Sequence, residues 1–206
     1  MPEIESTPAL ATRVYESLAR NLEVVRRRLG RPLTLSEKVL LGHLDDPARG
    51  ALEPGHSDLL LRPDRVVLQD VLGQTAMLQF MQTRRERVAV PTTIHCDHLI
   101  QARVAADADL HASLEENAEV YAFLRSAAAR YGAGFWQPGA GIIHQVVLEN
   151  YAFPGELILG TDSHTPNAGG LGACAVGVGG ADAVEVMAGL PWELRYPRRI
   201  AVLLSG

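Results

Sequence analysis

Cysteine is nearly absent: two thiols in 206 residues, Cys96 and Cys174, cannot frame a disulfide scaffold. A reducing compartment, cytosol or organelle matrix, is therefore the expected setting. An excess of basic charge is also missing. Nineteen Lys+Arg against 24 Asp+Glu give a formal net charge of -5, which leaves no overall positive field to hold a nucleic-acid backbone. Apolar runs such as residues 66–68 and 201–204 fall far short of the roughly 20 residues that a membrane-spanning helix needs. Neither nucleic acid nor membrane is an expected partner. No basic-then-apolar secretory layout is present. No Arg- and Ser-rich transit stretch precedes Leu10, and Glu3 and Glu5 run against one, which favours bacterial cytoplasm over mitochondrial matrix. Repeats and low-complexity tracts are lacking as well.

What remains is a globular composition, 47% hydrophobic and 21% charged, with ample material for a core. Residues 1–56 read as a helical segment and connector. Leu10, Val14, Leu18, Leu22, Val25 and Leu29 recur at helical spacing up to Gly30, and Thr34 with Glu37 forms a capping box before Val39, Leu40, Leu41 and Leu44. Residues 57–206 alternate strands with helices, the pattern of a sheet covered on its faces by helices. The expected strands are residues 59–61, 66–68, 88–90 (stopped by Pro91), 157–159 and 200–204. The expected helices are residues 71–81, 109–131 (Leu110, Leu114, Val120, Phe123 and Leu124 inward, Gly132 as cap) and 181–188. The fold class expected is a three-layer α/β/α domain preceded by amino-terminal helices.

Histidine and carboxylate gather at two strand exits. Thr93-Ile94-His95-Cys96-Asp97-His98 follows one, and Gly160-Thr161-Asp162-Ser163-His164-Thr165-Pro166-Asn167 follows another. In open α/β sheets, ligands bind beyond the carboxyl ends of the strands, so the two runs are candidates for one convergent site. Carboxylate-histidine pairs there would orient the imidazoles and raise their basicity for proton transfer near neutral pH. From the residues alone, the same runs read equally well as turn chemistry, since Asp and Ser bond nearby amides. By itself His144 reads as a hydrogen-bonded core residue, and His43, His56 and His111 as surface or capping groups. Three other readings are weaker. Gly177-Val178-Gly179-Gly180-Ala181-Asp182 starts like a dinucleotide fingerprint but has Asp in place of the third glycine and no apolar strand expected before it. Ser163 lacks the Gly-x-Ser-x-Gly frame of a hydrolase elbow, and His95, Cys96 and His98 match no common zinc spacing.

Long strings of the chain resemble the amino-terminal domain of aconitases of the mitochondrial type, also found in bacteria. They include Arg62-Pro63-Asp64-Arg65-Val66, residues 89–98, 131–136, 141–145, 148–151 and 160–167, and residues 178–192. The resemblance is weaker to isopropylmalate isomerase or to the RNA-regulatory branch. It implies a part in the reversible isomerisation of citrate to isocitrate through cis-aconitate, with a [4Fe-4S] cluster whose free iron acts as a Lewis acid. It also implies that Gln69 and Ser163 hold substrate carboxylates, that Asp97 pairs with His98 and Asp162 with His144, and that His164 helps position the reacting oxygen. Asp97, His98, His144, Asp162 and His164 are then the catalytic set, with Gln69, Asp162, Ser163 and His164 binding substrate. Cys96 and Cys174 match positions that do not ligate the cluster, so no metal ligand is expected in this chain. The cluster cysteines, the serine base, the tricarboxylate-clamping arginines and the carboxylate partner of His164 are expected beyond residue 206, in further domains of a longer enzyme. The isolated chain is then expected to be an inactive fragment. A non-catalytic stand-alone domain or a related hydro-lyase, of the homoaconitase or isopropylmalate isomerase type, is the alternative.

Overall fold

Local signals set the two opening helices. In the computed structural model, which describes residues 4–206 and so leaves Glu3 outside the described residues, α1 spans Pro8–Leu29 and α2 spans Leu35–Gly42. Thr7 accepts from the Leu10 amide at 3.2 Å, Pro8 opens α1 where its missing N–H costs nothing, and Gly30 closes it in the left-handed region. The capping box forms: Glu37 takes the Thr34 amide at 2.9 Å. Glu37 is itself buried beside Arg31, whose hydrogen bond holds its carboxyl down at about 2.

A five-stranded parallel sheet follows, in the order β4-β3-β2-β5-β6. Its strands are β2 (Arg65–Gln69), β3 (Thr92–His95), β4 (Gly134–Trp136), β5 (Leu157–Gly160) and β6 (Cys174–Gly177). The central strand β2 is buried along its whole length, as a strand covered on both faces must be. On one face Val66, Leu68, Ile94 and Leu159 pack with residues of α3 (Asp70–Gln82), α5 (Ala118–Tyr131) and α7 (Gly180–Met187). Leu22, Val25 and Leu41 from α1 and α2 join the same core. On the other face Val67 and Ile158 meet Ile143 and Val147 of α6 (Ile143–Asn150), so the sheet lies between two helical layers as a three-layer α/β/α domain. A small antiparallel pair, β1 (Asp58–Leu61) with β7 (Trp192–Arg195), stands beside it. Among the described residues no helix is long and apolar enough to cross a membrane.

Several elements differ from expectation. Residues 88–90 are not a strand: Pro91 precedes one, its carbonyl accepting from Val66 while its absent N–H costs no ladder bond. The helix expected over residues 109–131 is two, α4 (Ala106–Glu116) and α5, broken where the Asn117 side chain turns back on Ser113. Leu114 is consequently exposed. Residues 200–204 form no strand and are exposed, since β propensity without a partner edge makes no ladder. The glycine run at residues 177–180 does follow a strand, β6, although its Asp182 still breaks the fingerprint. His43 caps α2 but is buried, donating to Val39 O at 2.7 Å and meeting Asp64 at 2.7 Å.

Candidate functional site

Because the sheet is parallel, the ends of β2, β3 and β5 emerge on one edge, and the histidine-carboxylate runs emerge with them. Gln69 closes β2 and caps α3, its Oε1 accepting from the amides of Val71 and Leu72. Its Nε2 has no partner among the described residues and is free to donate. Thr161, just past β5, accepts from the Gln69 amide at 3.1 Å and ties the two exits together.

Asp97 works in two directions. Oδ1 accepts from His98 Nδ1 at 2.8 Å, and Oδ2 accepts from the Ile143 amide at 2.8 Å, at the positive end of α6. The second bond brings His144 to the same edge. His98 Nε2 reaches Asp162 Oδ2 at 2.7 Å. Both ring nitrogens of His98 therefore face carboxylates, a setting that favours the doubly protonated, charged ring. Partial burial opposes that charge, but the hydrogen bonds and charges of Asp97 and Asp162 outweigh it and raise the His98 pKa. Asp162 is nearly buried and also accepts from the His164 amide at 2.7 Å. The His144 and His164 rings stack at 5.2 Å, and a ligand atom of each lies within 4.8 Å of an Asp162 oxygen. Ser163 and His164 are exposed, with Ser163 Oγ 3.3 Å from His164 Nδ1.

The structure thus brings Gln69, Asp97, His98, His144, Asp162, Ser163 and His164 to one edge. Asp162 makes its 2.7 Å contact with His98, while His144, expected as its partner, has a ligand atom within 4.8 Å of it and a buried Nδ1 with no hydrogen-bond partner. A cleft of about 620 Å³ opens beside Asp97, lined by Ile100, Val104, Gly141 and Ile142 among others. Two contributors were not singled out from the sequence. Asp70 is fully buried and accepts from the amides of His98 and Leu99. Gly177 ends β6 so close to the Asp162 carbonyl oxygen that a Cβ there would lie 2.9 Å from it. An acidic residue directly after a buried strand was the available signal for Asp70; Gly177 had none beyond its place in a glycine-rich run.

The thiols do not fit a [4Fe-4S] cluster, which takes three or four thiolates. Cys96 follows β3 and Cys174 begins β6, so they sit at opposite edges of the parallel sheet. Burial, with the nearby Asp70 and Asp97 charges, pushes the Cys96 thiol up to about 12, and burial raises Cys174 too.

A family model described as the aconitase family (aconitate hydratase) matches residues 37–206. Among curated proteins, the chain is 64% identical to a mitochondrial aconitate hydratase of Gracilaria gracilis over 94% of the chain and 25% of the relative. It is 63% identical to that of Aspergillus fumigatus, over 93% of the chain and 24% of the relative. For that of Saccharomyces cerevisiae the identity is 60%, over 93% and 25%. The chain spans about a quarter of the length of these relatives.

Proposed function

The chain belongs to the aconitase family, and we propose that it supplies one wall of the active site of an aconitate hydratase, which interconverts citrate and isocitrate through cis-aconitate. The observation that carries the reading is the His98 ring held at both nitrogens between Asp97 and Asp162 at the carboxyl edge. Dehydrating citrate breaks one C–H and one C–O bond. The hydroxide that departs needs a proton; the charged His98 ring gives it the one on Nε2, which leaves the Asp162 contact, while Asp97 keeps the proton on Nδ1 of the neutral ring that remains. A base from outside these 206 residues takes the carbon-bound proton. Rehydration reverses the steps. The free Nε2 of Gln69 and the exposed Ser163 hydroxyl hold substrate carboxylates, while Asp162 orients His98 and His164, which lines the site with His144.

An iron-sulfur cluster of the kind this family implies would supply Lewis acidity toward the hydroxyl, and its thiolates must come from residues other than Cys96 and Cys174. Further domains of the longer protein and the tricarboxylates are the proposed partners. The relatives are named as mitochondrial proteins, which supports a matrix location over the bacterial cytoplasm favoured by the residues around Glu5. The test is hydration of cis-aconitate by the intact protein that contains this chain, wild type against His98→Ala. Turnover reduced at least about a hundredfold supports the reading, and equal turnover by both would sink it.

A further inference from the structure

The backbone after β3 leaves the ladder at Cys96, so the amides that follow need partners elsewhere. Two of them find the same carboxylate. Asp70 Oδ1 accepts from the His98 amide at 3.1 Å and Oδ2 accepts from the Leu99 amide at 3.2 Å. Asp70 is the first residue of α3 and is fully buried, yet its carboxylate serves this neighbouring loop and not its own helix end. It directly follows Gln69, so a single strand-to-helix junction both offers a substrate-facing amide and fixes the loop that carries His98. We propose that Asp70 is a positioning residue of the active site, holding the His98 backbone so that the imidazole spans Asp97 and Asp162. The proposal rests on the reading of this edge as a catalytic wall.

The geometry makes both oxygens necessary. Asparagine has the same shape, but it keeps one acceptor and sets an NH2 group against the second amide. With that amide unsatisfied the loop shifts, and His98 loses its alignment with Asp162 while Asp97, its sequence neighbour, moves with it. The groups that face the His98 ring are Asp97 from its own loop, Asp162 from the exit of β5 and Asp70 from α3.

The experiment follows His98 by NMR in the intact protein, with isotope-labelled histidine, alongside turnover of cis-aconitate. Wild type, Asp70→Asn and Phe80→Leu are compared, the last trimming a fully buried side chain of the same helix. Wild-type His98 is expected to titrate above the ordinary value of about 6.5. Asp70→Asn should bring it down by about one unit and lower kcat at least about tenfold, with KM changed less, as for loss of alignment. Phe80→Leu should lower thermal stability and leave the His98 titration alone. An unchanged titration in Asp70→Asn, or the same change in Phe80→Leu, overturns the proposal. If Asp70→Asn does not fold, Asp70→Ser, whose single short hydroxyl is drawn back from both amides, should show a shift in the same direction at least as large, and no shift again overturns it. Absence of turnover in the wild type would sink the hydratase reading, and the titration would still decide the role of Asp70.

Discussion

His98 Nε2 lies 2.7 Å from Asp162 Oδ2, an ion-pair contact that joins the exit of β3 to the exit of β5 over the end of the strand between them. With Nδ1 already on Asp97, the ring sits between two carboxylates whose charges favour its protonated form. Folding thus gathers into one cluster three groups that are ordinary in the unfolded chain. Gln69 ends the intervening strand.

Asp162→Asn keeps the size of the side chain and removes its charge. The raised His98 pKa rests in part on that charge, so in the variant the imidazolium gives up its proton at lower pH. In the intact protein the alkaline limb of the kcat profile should move to lower pH and kcat should fall about a hundredfold. A fall in kcat with the limb unmoved would show that Asp162 does not set the charge of His98.

Legibility followed locality. The capping box of α2 was readable because Thr34 and Glu37 are three residues apart, and β2 and β5 because apolar runs buried on both faces have few other uses. The hydrophobic period carried straight through Asn117, so the break between α4 and α5 was invisible to it; the break comes from one side chain bonding Ser113. The Asp and His runs announced the site edge, but which carboxylate meets which ring depends on the strand order β3-β2-β5, a relation between distant segments. Asp70 was hidden for a related reason. Its partners are backbone amides 28 and 29 residues later, and an amide has no sequence signature.

Stability should fall as pH rises through neutrality. Burial lifts the Glu156 carboxyl from 4.5 to about 7 against the pull of Arg65. Burial opposes the charge of His43, but Asp64 outweighs it and raises the ring above 6.5. Both folded-state values exceed the unfolded ones, so the folded protein binds more protons and loses stability between about pH 4.5 and 7 through Glu156, then from about 6.5 upward through His43. Glu37, held down at about 2, acts oppositely, and its contribution is lost as pH falls below 4.5. Asp64→Asn removes the charge that raises His43, so the ring gives up its proton more readily; it should cost about 1–3 kcal/mol through the impaired buried hydrogen bond, and should flatten the decline on the alkaline side. Urea midpoints across the pH range check this, and a wild-type midpoint that climbs steadily from about pH 5 to 9 would contradict it.

Gly177→Ala should damage the site from behind. The added methyl would lie 2.9 Å from the carbonyl oxygen of Asp162, a backbone atom that cannot swing aside as a side chain could. Overpacking of this kind costs about 1–3 kcal/mol, and the displaced loop carries Asp162 and Ser163. Gly170→Ala is the control, since nothing lies within 4 Å of its Cβ position. Thermal melting and kcat should both drop for Gly177→Ala and hold for Gly170→Ala; equal behaviour of the two would refute the contact argument.

The two thiols should prove chemically quiet and dispensable for any cluster. A thiolate is both the nucleophile and the metal ligand, and a thiol held up at about 12 in a buried site provides almost none at neutral pH. Cys96 should resist alkylation in the native protein and react after unfolding, as counted by mass spectrometry. Cys174 is only half-buried, so its rate should lie between that of Cys96 and a free thiol. Because the pair sits at opposite edges of the sheet, replacing both by serine should leave the iron and sulfide content of the intact protein unchanged. Loss of iron in Cys96→Ser/Cys174→Ser, with native melting retained, would place a cluster ligand in this domain and overturn the view that it contributes only the histidine-carboxylate wall.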